Sequence, residues 1–195
     1  MTTLKLHPVV VEDCSALADI WFAAFSDPAS RVLFPDTPGV RQWLEYAISY
    51  DLLQRPFQRY VKIVDSDTTT NNGHRVAAYA KWDLSTAEER GPRYPAWHAD
   101  MPAEQCEAFV MRGESNRKRV MGEQKHIFLD IVLTHPAYQR RGAASMLLKW
   151  GCELADSQGL PIFVSASQEG APLYAKFGFV DCGAGGVTLM VRQNE

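Results

Sequence analysis

From Leu129 to Ser145 the chain reads Leu-Asp-Ile-Val-Leu-Thr-His-Pro-Ala-Tyr-Gln-Arg-Arg-Gly-Ala-Ala-Ser. An apolar run broken by one carboxylate, Asp130, leads through a proline turn into a basic glycine loop and then into a helical pattern. The first amides of a helix have no partner within it and sit at the positive end of its dipole, so such a junction holds phosphate. Gly142, Ala143 and Ala144 are small enough for a ligand to approach the backbone, and Arg140 and Arg141 add positive charge. The chemistry indicated is retention of a phosphate-bearing ligand; the plainer alternative is a short turn carrying two solvated arginines. Two other phosphate motifs are absent: no GxxxxGK[ST] occurs, and no GxGxxG follows a strand.

Gln139-Arg-Arg-Gly142-Ala-Ala144 resembles the Q/R-x-x-G-x-G/A loop of the GNAT N-acetyltransferase superfamily, which binds the pyrophosphate of acetyl-CoA. Thr134-His135-Pro136 before the loop and Leu147-Leu148 after it also match. Leu173-Tyr-Ala-Lys-Phe-Gly-Phe179 is similar to the family's Y-x-x-x-G-F motif, separated from the loop by a helix and a strand. The resemblance covers residues 127–179, and the first half fits by element order and by a general likeness to fungal members.

The resemblance implies a single α/β domain over residues 1–195: a mixed central sheet of about seven strands with flanking helices. It implies splayed fourth and fifth strands, with the pantetheine arm against Val132, Leu133 and Thr134. The amides of Gln139, Arg140, Arg141, Gly142, Ala143, Ala144 and Ser145 would cradle the pyrophosphate. Tyr174 matches the tyrosine that protonates the departing CoA thiolate, a role suited to a phenol placed against developing negative charge. The asparagine that often follows the fifth strand is missing, with Ser165 and Ser167 in its neighbourhood.

An ammonium acceptor must lose a proton before it attacks a thioester. Asp130 is the candidate base, being the single carboxylate on an otherwise apolar strand. His126 and His135 at the strand's two ends are alternatives, and a water relay would need no single base. No thiol or serine has an evident base partner, which disfavours an acyl-enzyme. The expected activity is therefore acetyl transfer from acetyl-CoA to an amine, by direct attack in a ternary complex. Phe25, Phe34, Trp82, Tyr94 and Trp97 are candidate walls for the acceptor, and favour a small aromatic or apolar amine. The competing reading is a domain that binds acyl-CoA as a sensor without turnover.

The elements that must position these groups follow from periodicity. Leu4 to Val11 reads as a first strand. Asp13 is placed to cap a helix whose Leu17, Ile20, Trp21 and Ala24 share a face. After a polar stretch from Ser26, Thr37-Pro38 starts a second helix with Val40, Trp43, Leu44, Ala47 and Ile48 inward. Tyr60 to Val64 and Arg75 to Trp82 read as a hairpin turned by Asp65 to Gly73. Residues 83–124 form an insertion, either covering the substrate or mobile, with a helix over Glu104 to Val120 that turns Cys106, Phe109, Val110 and Gly113 to one face. A buried strand over Ile127 to Thr134 begins the acetyl-CoA-binding core, 127–179. A helix to about Ser157, a strand over Ile162 to Ser165, a short helix over Pro172 to Phe177 and a closing hairpin, Phe179 to Cys182 with Val187 to Arg192, complete it.

Composition sets the outer bounds. With 195 residues, 46% of them hydrophobic, the chain can bury one sizeable core. Its net charge of −3 gives no field for nucleic acid or an anionic membrane. Cys14, Cys106, Cys152 and Cys182 lack metal-ligand spacing and read as buried thiols of a reducing compartment. No apolar run is long enough to span a bilayer, and Met1 to Asp13 does not read as a signal peptide. The expectation is a cytoplasmic monomer or homodimer that binds no metal.

Overall fold

A computed structural model describes residues 3–70, 73–86, 88–183 and 187–194. Seven strands form one mixed sheet: β1 (Leu4–Pro8), β2 (Gln58–Thr70), β3 (Gly73–Asp83), β4 (Ile127–Thr134), β5 (Ile162–Ala166), β6 (Val180–Asp181) and β7 (Thr188–Arg192). Their spatial order is β1-β2-β3-β4-β5-β7-β6. All neighbours are antiparallel except β4 and β5. That parallel pair is joined by α5 (Ala143–Gln158), as a parallel crossover requires. The other helices are α1 (Cys14–Ala24), α2 (Pro28–Leu33), α3 (Pro38–Gln54), α4 (Ala103–Met121) and α6 (Ala171–Ala175). The expected α/β domain with seven strands and flanking helices is what the chain forms.

Two cores lie on opposite faces of the sheet. One gathers Leu147, Leu148 and Ala155 of α5 under Ala78, Ala80, Trp82, Leu129 and Val164. The other packs Leu17, Ile20 and Trp21 of α1 and Val40, Trp43 and Leu44 of α3 against Tyr60, Tyr79 and Leu133. These are the helix stripes expected from spacing alone. Thr37 Oγ1 accepts from the Val40 amide at 3.3 Å and Pro38 opens α3, as the Thr-Pro signal predicts. Gly151 of α5 is dictated by Trp82, because a Cβ there would lie 2.0 Å from the indole. Only a hydrogen at that position lets the helix seat on the sheet.

Several expectations needed correction. Asp13 does not cap α1 with its side chain; its carboxylate accepts from the Val10 amide at 2.8 Å and pairs with Lys62 at 2.5 Å. Val11 to Asp13 is a 3-10 turn rather than strand. The polar run after Asp65 extends the ladder as far as Thr70, through a register shift, instead of forming a loop. Asn71 and Asn72 of the expected turn lie outside the described residues. The stretch after Ser26 contains α2, with Asp27 accepting from the Ser30 amide at 3.0 Å. Helix α4 exists, but its buried stripe is Cys106, Val110, Arg117 and Met121, and Phe109 is exposed. Cys182 is exposed while the other three thiols are buried.

Candidate active site

Strand β4 pairs with β5 only from Ile127 to Leu129; from Asp130 to Thr134 its β5-facing edge is open. The same residue breaks the ladder on the other side. Trp82 of β3 lies opposite Leu129 and Lys81 opposite Ile131, so Asp130 is the extra residue of a β-bulge. Beyond the bulge the side-chain phase is inverted. Val132 joins Leu129 on the α5 face, whereas Ile131 and Leu133 pack with α1 and α3. The expected splay is present, and Val132, Leu133 and Thr134 lie along its β4 side.

The open edge leads directly into the glycine loop. Pro136–Tyr138 make a 3-10 turn, with the Ala137 amide bonded to His135 Nδ1 at 3.2 Å. Tyr138 anchors it: its hydroxyl donates to Asp65 Oδ2 of β2 at 2.8 Å, and Arg141 stacks 5.2 Å above its ring. Arg140 has φ +60°, alone in this among the non-glycine residues described, and Gly142 has φ +87°. A side chain held left-handed costs about 1–2 kcal/mol, and such strain collects where backbone serves a ligand. Gly142 is the cap of α5, yet among the described residues no side chain caps the helix amides, and no acidic residue occupies the first turn. The first helical bond is Met146 N to Gly142 O, at 3.1 Å, so the amides of Ala143, Ala144 and Ser145 stand ahead of the ladder. Gln139, Arg140, Arg141 and Gly142 are exposed, and a Cβ at Gly142 would meet nothing within 4 Å. This uncapped helix end is open to an anion.

Tyr174 lies on the α5 face, packed against the core that contains Leu129, Ala143 and Ala166, with its ring 5.6 Å from that of Phe179. Among the described residues its hydroxyl makes no hydrogen bond. Burial pushes its pKa up to about 12, so the phenol keeps its proton throughout the neutral range.

The Acetyltransferase (GNAT) family model matches residues 57–179, from the start of β2 through the tyrosine motif. The chain belongs to the GNAT acetyltransferase family. A fungal relative, an acetyltransferase of Stachybotrys chartarum, is 27% identical over 194 residues, covering 91% of this chain and 80% of that protein. Among solved structures, a Corynebacterium glutamicum protein described as histone acetyltransferase HPA2 and related acetyltransferase superposes with a TM-score of 0.65 at 18% identity. It covers 100% of this chain and 98% of that one. The PaiA N-acetyltransferase of Thermoplasma acidophilum, solved in complex with coenzyme A, gives 0.58 at 9% identity, covering 98% and 99%. These structures share the fold.

The GNAT chain places its two candidate catalytic residues on opposite faces of the sheet, Asp130 where β4 stops pairing with β5 and Tyr174 against the α5-side core. Asp130 faces α3 and is almost fully buried. Its carboxylate pairs with Lys81 Nζ at 3.2 Å and with Arg93, and Lys81 also reaches Asp51 of α3 at 2.7 Å. Sequence reading missed these partners, although Lys81, a lone lysine inside an apolar strand, was as visible a signal as Asp130 itself. His126 does not fit the role of base. It is buried, Nε2 accepts from Arg117 Nε at 2.7 Å, and Nδ1 contacts Gln124 O at 2.6 Å. Burial depresses its pKa, which keeps the ring neutral. His135 is half-buried beside the glycine loop, its pKa lowered by burial and then by Arg75.

The expected acceptor walls divide. Trp82 is 0% exposed beneath α5 and lines nothing, and Phe34 is sealed in the α1–α3 core. Tyr94 and Trp97 are half-buried and stack on Trp43 at 5.6 and 5.4 Å. Both line a cleft of about 1300 Å³ formed by α3, residues 85, 86, 88 and 90–97, α4 and residues 122–126. Arg93, the partner of Asp130, is in its wall. Ser165 is exposed on β5, and Ser167 Oγ accepts from the Gly170 amide at 3.0 Å ahead of α6.

Proposed function

We propose that the protein transfers the acetyl group of acetyl-CoA to the nitrogen of a small amine, by direct attack within a ternary complex. One observation carries the reading: an open β4 edge leads through a short turn and loop into the uncapped N-terminus of α5. An unpaired strand edge can bond the amides of a pantetheine arm, and a free helix end can hold its pyrophosphate. The residues fit that donor. The loop is exposed, bears two arginines and a glycine, and has no carboxylate in the first turn.

In this reading the amine nitrogen forms a bond to the thioester carbonyl carbon, and the C–S bond breaks. Tyr174 gives its proton to the departing sulfur, while Asp130, directly or through water, receives the proton the amine loses. Return of that proton to Tyr174 through solvent leaves an N-acetylamine and the free CoA thiol. The rest of the rate enhancement comes from positioning and from backbone amides that stabilise the developing oxyanion. The alternative, binding of acyl-CoA without turnover, draws on one feature. Asp130 is held by two cations and must exchange a partner to take a proton.

Calorimetry with acetyl-CoA, with ATP as the comparison, tests the donor, and thiol release across an amine panel tests transfer. One-to-one binding with amine-dependent release supports the proposal. Binding without release from any amine would favour the sensor, and no binding of acetyl-CoA at millimolar concentration would overturn both.

A further inference from the structure

Asp130 belongs to one of two neighbouring groups of ion pairs at the inner wall of the cleft. Asp51 pairs with Arg55 at 3.0 Å and with Lys81 at 2.7 Å. Asp130 pairs with Lys81 and Arg93. Asp83 meets Arg90 at 3.7 Å and Arg117 at 3.5 Å, and Glu114 meets the same two arginines at 3.0 and 4.0 Å. These pairs form two sets: Asp51, Arg55, Lys81, Asp130 and Arg93 in one, and Asp83, Glu114, Arg90 and Arg117 in the other, where two cations meet two carboxylates.

Arg117 is the least satisfied member. It is 2% exposed, both of its carboxylate contacts are long, and its Nη2 has no hydrogen-bond partner although it is buried. Burial lowers its pKa to about 10, which still leaves it cationic at neutral pH. Arg93 Nε is also unpartnered, but it shares a small cavity with the unpartnered Gln58 Oε1, where one bridging group would serve both. Arg117 does not line that cavity; it lines the large cleft. The two guanidinium groups lie over one ring, with Arg93 Cζ 5.8 Å and Arg117 Cζ 4.5 Å from the centroid of Phe128. A buried cation this poorly paired is costly unless a further anion reaches it.

We propose that the cleft is a binding site for a ligand bearing a single carboxylate, received by Arg117 and Arg93 above Phe128, with an aromatic or apolar body along Tyr94 and Trp97. The unpartnered Arg117 Nη2 needs an acceptor, and a planar carboxylate matches the guanidinium fork. The site's existence does not depend on acetyl transfer. The carboxylate belongs either to the acceptor amine itself or to an effector, and the experiment separates the two.

The probe is 3-phenylpropanoate, titrated into the full chain at neutral pH by calorimetry, with 3-phenylpropanamide as its uncharged counterpart. The acid is expected to bind saturably and at least about tenfold tighter than the amide, the margin of a charge-assisted bond. Arg117→Lys keeps the charge but loses the fork, and should remove most of that preference. The acid–amide comparison in the wild type holds even if this variant folds poorly. Equal affinity for acid and amide, or no binding of the acid up to about 10 mM, overturns the proposal. Acetylation of L-phenylalanine in preference to phenethylamine, with competitive inhibition by 3-phenylpropanoate, assigns the carboxylate to the acceptor. Altered turnover of an uncharged-tail amine without competition assigns it to an effector.

Discussion

Tyr174→Phe removes one oxygen from a site where the consequences for folding and for catalysis separate. The hydroxyl has no hydrogen-bond partner among the described residues, and the ring's packing against Phe179 survives the change. Folding stability should therefore move by less than about 0.5 kcal/mol. For a domain of this size that is a Tm shift of about 2 °C or less. If the phenol protonates the leaving sulfur, its loss removes a general acid, generally worth about a hundred- to ten-thousand-fold. The lower end applies here because a thiol near its ordinary pKa of about 8.5 is already a fair leaving group. We expect kcat to fall about a hundredfold, or about 3 kcal/mol of barrier, with acetyl-CoA affinity unchanged. Because burial holds the phenol to about pH 12, its ionisation should not limit the wild-type rate below about pH 11. Thiol release gives kcat, calorimetry gives the affinity and a melting curve gives Tm. A kcat within threefold of wild type would refute the acid role and leave Tyr174 as packing alone.

Gly142→Ala meets no steric obstacle, so its cost is the left-handed backbone itself, about 1–2 kcal/mol and a Tm lowered by about 2–8 °C. Acetyl-CoA affinity should fall with it by at least about tenfold, since the first amides of α5 follow directly, and unchanged calorimetric affinity would displace the pyrophosphate from this loop. Asp130→Asn leaves Lys81 with Asp51 alone and deprives Arg93 of its carboxylate, a loss on the order of 3 kcal/mol in urea denaturation. A base role requires kcat of the folded fraction to drop as well; an unchanged kcat with lowered stability would confine Asp130 to the fold. In alkali the protein should weaken early. Burial, aided by Glu45, holds Cys14 near 11 against an ordinary 9.0, and burial holds Tyr174 near 12 against 10.0. The unfolded chain releases these protons first, so stability is fully present below about pH 9 and lost as pH rises toward 12. A urea midpoint that is constant between pH 8 and 10.5 would contradict this.

Local signals were legible in the sequence, and pairings between distant segments were not. The stripes of α1, α3 and α5 follow from spacing, and Thr37-Pro38 marks its helix start through a bond that spans three residues. The glycine loop was readable because its chemistry lies in consecutive backbone amides. Asp130 could be singled out, but not its neighbours: Asp51, Lys81 and Arg93 lie far apart in the chain and meet only when α3 and the segment before α4 fold over the sheet. Trp82 was misplaced because alternation along β3 puts it with Ala80 on the α5 face and Lys81 on the α3 face, and which of the two faces meets which helix is not written in the strand's own sequence. In α4 the buried Arg117 broke the apolar pattern, so Phe109 was mistaken for its inward residue.

That bulge links two features that the chain could otherwise have needed separate devices to make. Strict alternation from Phe128 would place Asp130 and Val132 on the α3 face, with Ile131 and Leu133 beneath α5. One inserted residue leaves Asp130 among its cations but turns Leu133 into the α1–α3 core and Val132 toward α5. The change of phase also strengthens the local twist, and pairing with β5 ends at the preceding residue, Leu129. The carboxylate among its cations and the opening beside it therefore share one cause. Lys81 stands opposite Ile131, next to the bulge, where its ammonium can reach both Asp130 and Asp51. A buried charge pair is poor evidence of stability by itself. Here it ties α3 to β3 and to the residue at which β4 stops pairing with β5.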